Sequence, residues 1–394
     1  MAQILKISVK GYKSIKSLLD FELRPLNVLI GANGAGKSNF ISLFKLLHNL
    51  YNQNLQLYQQ IQGGPDALLH FGRTTTARFS AEFLVNQLME PNSNQEYYKS
   101  AFPGYTFSLV PTQDNHLAFE RDEFFMAIDG RQALMPVAPG NGYLEAKLKD
   151  SKEAILALLK APIRSWQVYH FHDTSETANV KRIHPSNDNL QLQPDAANLA
   201  AYLRMLHDQH PQAYRDIIQT IQLVLPQFDD FVHRAGPPEH IQLEWKQKGR
   251  PNNVFKAHIL SDGSLRFICL MTLLLQPISL LPDTILIDEP ELGLHPAALV
   301  ILADVLKQVT EQKQLIIATQ SVELINALSP EDVIIVEQED GASTFRRCNE
   351  QELSQWLLER TNSPVKTVGK SAPTQISKNT PRPCYRESNR IGSY

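Results

Sequence analysis

Eight residues near the start, GANGAGKS from Gly31 to Ser38, constrain the fold of this chain more than any others. They fit G-x-x-x-x-G-K-[ST] and stand between the apolar run LNVLI and a segment where Phe40, Leu43, Phe44, Leu47, Leu50 and Tyr51 recur at helical spacing. A glycine-rich turn between a buried strand and an amphipathic helix is the setting of a phosphate loop. Backbone N–H groups from Gly34 to Ser38 can wrap a β-phosphate there, and the helix N-terminus adds a positive dipole. The expected cradle takes in Gly31, Asn33, Gly34, Ala35, Gly36, Lys37, Ser38 and Asn39. Lys37 is placed to neutralise the β- and γ-phosphates and Ser38 to ligate Mg2+, so ATP and Mg2+ are the expected cofactors.

Three later stretches fit the same site. In TILIDEPELGLHP, the apolar Ile285, Leu286 and Ile287 predict a buried strand that delivers Asp288 and Glu289 to the carboxyl edge of a sheet, where open α/β sheets bind ligands. Asp288 is expected to hold Mg2+ through water. Glu289, one residue beyond, can orient or deprotonate a water that attacks the γ-phosphate; the competing reading is a surface acidic turn shaped by Pro290 and Gly293. The strand in IIATQSVEL ends at Thr319 and presents Gln320 to that edge, as a γ-phosphate donor or simply as a polar strand end. In ILSDGSLRF, Ser261 reads as the N-cap of a helix and Gly263 as a point of close approach. This anion site has no lysine or metal ligand of its own, so it is useful if it completes the phosphate loop of another copy; otherwise it is an ordinary capped core helix.

Around these motifs the chain alternates strands and helices, which predicts an α/β fold with a mainly parallel sheet. Antiparallel strands precede it, with Leu5, Ile7 and Val9 on one face, then Leu19, Phe21 and Leu23. Residues 1–80 are expected to form the first part of this head and 81–240 a compact α+β insertion. The helix in DAANLAAYLRML and another beyond Pro211 mark the insertion, which shows no sustained heptads. Residues 241–350 complete the head, and 351–394 read as a helix and a disordered tail with more basic than acidic residues. The histidines of VYHFHDTSE, His170 and His172, share a strand face that could take a metal, but no further ligands complete a set.

The net charge of −3 over 394 residues gives no general attraction to nucleic acid or to an anionic membrane. Any DNA contact must come from a local patch. Cys269, Cys348 and Cys384 have no metal-ligand spacing and are odd in number, which suits a reducing, cytoplasmic setting. The start MAQILKISVK lacks the pattern of a signal peptide. The run FICLMTLLLQPISLLPDTILI is broken by Gln276, Pro277, Pro282 and Asp283, short of the ~20 residues a membrane helix needs. It reads as a buried helix followed by a buried strand.

In their order, GANGAGKS, LSDGS, LIDEP and ATQS resemble the motifs of ABC-type ATPases, in particular the soluble RecF/SMC-like branch. The opening ISVKGYKSIKS is similar to that branch's first strand pair. GGPDALLHFGR, YHFHDTS, ILSDGSLRF and IDEPELGLHP look like stand-alone bacterial ATPases related to RecF and to the OLD-family ATPase domain. The resemblance implies a head that closes as a head-to-tail homodimer around two ATP molecules, with Ser261 and Gly263 as the signature element, Glu289 as the catalytic carboxylate and ELGLHP as the dimer-contacting loop. It implies roles in DNA repair or defence against foreign DNA, with a separate effector protein and DNA as possible partners and no membrane. Gln320 stands where this family carries a switch histidine, which implies slow turnover. Asp262 replaces a glycine of the signature, and Gln62 is one candidate for the family's coupling glutamine. A non-hydrolysing scaffold and a transporter motor are the alternative readings.

Overall fold

A computed structural model of the chain describes residues 2–86, 101–128, 131–138, 140–153, 156–234, 239–349 and 351–353. The first part of the chain forms β1 (Gln3–Tyr12), β2 (Ile15–Glu22), β3 (Leu26–Ile30), α1 (Lys37–Tyr51), α2 (Leu55–Gln62), α3 (Pro65–Leu68), β4 (Phe79–Asn86), β5 (Ala101–Pro111), β6 (Leu117–Ile128) and β7 (Arg131–Pro136). The middle adds α4 (Ala157–Ser165), β8 (Gln167–Tyr169), β9 (His184–Pro185), α5 (Leu199–Gln209), α6 (Pro211–Val224), β10 (Phe228–Phe231), β11 (His240–Ile241), β12 (Glu244–Gln247) and β13 (Arg250–Lys256). The last part holds α7 (Asp262–Leu275), β14 (Thr284–Asp288), α8 (Pro296–Thr310), β15 (Gln314–Ala318), α9 (Val322–Asn326), β16 (Val333–Glu339) and β17 (Ala342–Arg347).

The architecture is α/β, with an antiparallel N-terminal sheet beside a mainly parallel central one. The central sheet has six strands in the order β17-β16-β3-β15-β14-β8, and only β17 runs antiparallel to its neighbour. Every residue of β3 and β15 is buried, as expected where helices cover both faces. Alternate residues feed separate cores. Val28, Ile287 and Ile317 pack with α5 to α9, whereas Leu29, Leu286 and Ile316 pack with Phe40, Phe44 and Leu47 of α1.

The second six-stranded sheet, β2-β1-β4-β5-β6-β7, covers the far side of α1. Strand β4 is buried at every second residue, and Phe79 and Phe83 on that face join the core that α1 lines. The expected insertion at 81–240 therefore does not stand apart. Its first boundary falls inside β4, which pairs with β1 through Ile7↔Phe83, and its β8 lies in the central sheet beside β14. Cross-strand pairing between distant segments, which local pattern does not encode, accounts for the difference. The rest of that region forms the β10-β12-β13 sheet and the β9-β11 pair, with α5 and α6 packed onto α7.

Register then brings the functional segments together. Asp288 lies opposite Ala318, Ala318 opposite Leu29, and Ile287 opposite Tyr169. The chain leaves all these strands at one edge. Among the described residues no helix is long and apolar enough to cross a membrane. The expected tail from residue 354 onward lies outside the described residues.

Candidate nucleotide-binding site

The glycine-rich loop closes onto α1 with Gly36 as N-cap at φ 115°. A Cβ at Gly36 would lie 2.0 Å from Ser343 Oγ on β17, so glycine is required there by close approach as well as by φ. A Cβ at Gly31 would lie 2.2 Å from the carbonyl oxygen of Val336, so this glycine serves packing against β16. Lys37 is buried, and its ammonium donates to the carbonyls of Gly31 at 2.9 Å and Ala32 at 3.1 Å. Ser38 is exposed at the first turn of α1.

Sequence reasoning did not find the chain of polar contacts behind this loop. Asn39 Nδ2 donates to Ser14 Oγ at 2.7 Å, Ser14 Oγ and Ser343 Oγ lie 2.7 Å apart, and Ser343 Oγ donates to the Ala35 carbonyl at 2.6 Å. The β1–β2 turn and β17 thus brace the cradle from behind. The only available signal was the serine of GYKS, since Ser343 lies on a strand with no motif of its own.

A cleft of about 280 Å3 is lined by Asn33, Gly34, Gly36, Lys37, Ser38, Asn39, Glu289 and Gln320. The loop and the acidic strand end therefore share one cavity. Glu289 takes φ 47°, left-handed backbone that strains a non-glycine residue. It is held there by its N–H to the Ala318 carbonyl at 2.8 Å. Gln320 Nε2 donates to Glu289 Oε1 at 2.7 Å, and the Gln320 N–H donates to Glu291 Oε1 at 2.7 Å. Glu291, which the sequence reading left in a turn, is a half-buried member of the acidic edge, and burial pushes its carboxyl up.

Asp288 Oδ1 is buried without a hydrogen-bond partner. Burial, and then the neighbouring charge of Glu289, push the Asp288 carboxyl above the ordinary carboxylate range. A buried anionic oxygen with no donor fits a cation ligand. It also carries a stability cost. A carboxylate whose folded pKa is raised binds its proton more tightly in the folded chain, so stability falls as pH rises from the ordinary carboxylate range through the raised value. Asp288→Asn is accordingly expected to raise the thermal midpoint at neutral pH, with the gain disappearing as pH drops below that range. Scanning calorimetry at the two pH values measures this; a neutral-pH midpoint equal to or below wild type would contradict it.

His172 Nε2 donates to the Asp288 carbonyl at 3.0 Å, which fixes the end of β14. Among the described residues no group of three or more His, Cys, Asp or Glu is arranged to hold a metal. Gln62 accepts from Lys13 Nζ at 3.3 Å and does not line the cleft.

Ser261 caps α7, its Oγ accepting from the Ser264 N–H at 3.2 Å. Neither Ser261 nor Gly263 lines the cleft of its own chain. The closeness read at Gly263 has an occupant within the chain: a Cβ there would lie 2.1 Å from the carbonyl oxygen of Gly293 in the ELGLHP loop. Arg266 reinforces that junction by donating to the carbonyls of Leu292 at 3.2 Å, Phe171 at 3.1 Å and His172 at 2.7 Å. Backbone must give way to any added methyl. Gly263→Ala is expected to destabilise the fold by about 1–3 kcal/mol, read as a lower urea midpoint at unchanged slope. An unchanged midpoint would mean that the contact is loose.

A glycine-rich loop between β3 and α1, an acid pair at the end of β14, a capped α7 and this sheet order define an ABC-type P-loop ATPase domain. The chain belongs to the family described as "AAA domain, putative AbiEii toxin, Type IV TA system", whose model matches residues 26–118 and 147–326. No curated protein matches the sequence. Among solved structures, it is similar to an Smc head bound to the C-winged helix domain of ScpA, with 14% identity over 89% of this chain and 99% of that one and a TM-score of 0.56. It is also similar to a Pyrococcus furiosus Smc head with an extended coiled coil bound to the C-terminal domain of ScpA, with 14% identity, coverage of 92% and 100% and a TM-score of 0.54. A Pyrococcus yayanosii Smc head with a coiled coil and joint gives 12% identity, coverage of 92% and 100% and a TM-score of 0.53. Identity this low establishes the fold alone.

Proposed function

We propose that this chain is a Mg-dependent ATPase that closes on ATP as a head-to-tail homodimer and acts as a switch. The observation that carries the reading is the incomplete cleft. One wall holds the phosphate loop, Glu289 and Gln320, while the capped helix bearing Ser261 and Gly263 faces elsewhere in the same chain. Ile259, before that helix, is 66% exposed, and Leu292 in the ELGLHP loop is 40% exposed.

Ser38 and the unpartnered Asp288 oxygen are the residues that would hold Mg2+, which when bound neutralises charge on the β- and γ-phosphate oxygens. Lys37 exchanges its carbonyl partners for phosphate oxygens. Glu289 orients a water for in-line attack and takes its proton, and Gln320 fixes the Glu289 carboxylate through the 2.7 Å bond. Ser261 and Gly263 of the second copy close over the triphosphate with a helix N-terminus.

The switch reading extends to DNA maintenance or defence against foreign DNA in the cytoplasm, on the strength of the motifs shared with RecF-like and OLD-family ATPases. A separate protein effector would recognise the closed form; two of the Smc heads cited above are bound to a domain of ScpA. A second reading, a scaffold that binds ATP but hydrolyses it little, is favoured by the neutral Gln320 donating to Glu289. Light scattering with and without Mg-ATP tests closure, and phosphate release separates the two readings. A mass that stays that of one chain at saturating ATP would remove the switch.

A further inference from the structure

The parallel ladder between β14 and β15 stops short of Gln320, and a side chain finishes it. The last backbone rung takes the Glu289 N–H to the Ala318 carbonyl at 2.8 Å. In a parallel pair the next rung would take the Gln320 N–H to the Glu289 carbonyl. The left-handed backbone at Glu289 turns that carbonyl away, and it accepts from the Leu292 N–H at 3.3 Å instead. Glu291 Oε1 fills the gap, accepting from the Gln320 N–H at 2.7 Å.

One glutamine is thus gripped at both ends by carboxylates. Glu291 holds its backbone and Glu289 its side-chain amide, each at 2.7 Å. The two acids differ in what they face. Glu289 lines the cleft with Gln320, whereas Glu291 does not, and Glu291 Oε2 is buried without a hydrogen-bond partner. The Glu291 carbonyl accepts from the Leu294 N–H at 3.0 Å, which ties its backbone into the ELGLHP turn. On the other side, Thr319 is pinned to β3 by its N–H to the Leu29 carbonyl at 3.0 Å. Both anchors are fixed, so the Glu291 carboxylate sets where the Gln320 backbone stands.

A hydrogen bond from an N–H to a carboxylate is short and strong. A glutamine has a flexible stem and no charge, so its amide meets Glu289 only as reliably as its backbone is placed. We propose that Glu291 is a positioning residue for ATP hydrolysis, acting through Gln320 to aim the Glu289 carboxylate at the attacking water. The inference rests on the ATPase reading of the cleft.

Phosphate release by the full chain with Mg-ATP tests it. Glu291→Ala is expected to lower kcat about ten- to hundred-fold, the scale of a small misplacement of a catalytic group, with KM for ATP unchanged. Glu291→Met, which fills the space without an acceptor, should show the same split. Glu291→Gln keeps a carbonyl oxygen for the Gln320 N–H and is expected to restore most of the rate. In a Gln320→Ala background, Glu291→Ala should cost little further, because residues acting through one contact are not additive. Amide exchange of residues 318–322 should quicken in Glu291→Met and not in Glu291→Gln, which reports on the anchor without using turnover. A wild-type kcat in the Ala and Met variants, a rise in KM that accounts for the loss, an equally slow Glu291→Gln, or additive losses in the double variant would each overturn the proposal. A wild-type chain that releases no phosphate would instead remove the ATPase reading beneath it, whatever the exchange shows.

Discussion

Lys37→Ala is expected to abolish nucleotide binding while the chain stays folded. The ammonium is buried against the carbonyls of Gly31 and Ala32, and among the described residues no other cation lines the cleft. Truncation leaves phosphate charge facing carbonyl oxygens. Losing one partner of a buried charge pair costs about 2–5 kcal/mol or more, which is roughly a 30-fold to several-thousand-fold loss of affinity. Titration with a fluorescent ATP analogue measures the loss, and circular dichroism checks the fold. Affinity within a few-fold of wild type would show that triphosphate binds elsewhere.

Glu289→Gln should stop turnover and make the ATP-bound dimer accumulate. The substitution keeps the shape of the side chain and its acceptor for Gln320 Nε2, so closure should survive. It removes the base. General-base catalysis contributes about 10²–10⁴-fold, so phosphate release should fall by that factor while light scattering shows doubled mass with Mg-ATP. Turnover equal to wild type would take the catalytic role from Glu289. A fall in turnover without any dimer would separate hydrolysis from closure.

What the sequence disclosed was local. The loop, the strand that delivers Asp288, the cap at Ser261 and the helix starting at Pro211 are each written within about a dozen neighbouring residues. They appear in the structure as such. The brace from Ser14 to Ser343 and the meeting of Gly263 with Gly293 join segments that no short window spans. The same holds for β4 to β7. FSAEFLV alternates as a strand should, but the partner that makes β4 a central strand is β1, more than sixty residues earlier. Gly263 was read as a point of close approach and Gly31 as part of the cradle, but what approaches them, the Gly293 and Val336 carbonyls, depends on tertiary packing.

The strand order sets a timetable for biosynthesis. In the finished sheet β3 lies between β15 and β16, paired as Leu26↔Leu315 and Ile30↔Ile335. A ribosome that has already delivered GANGAGKS must deliver nearly the whole polypeptide before that strand acquires either neighbour. Pairings this distant in sequence form slowly. The strand that leads into GANGAGKS thus stays without either neighbour until β15 and β16 have been made.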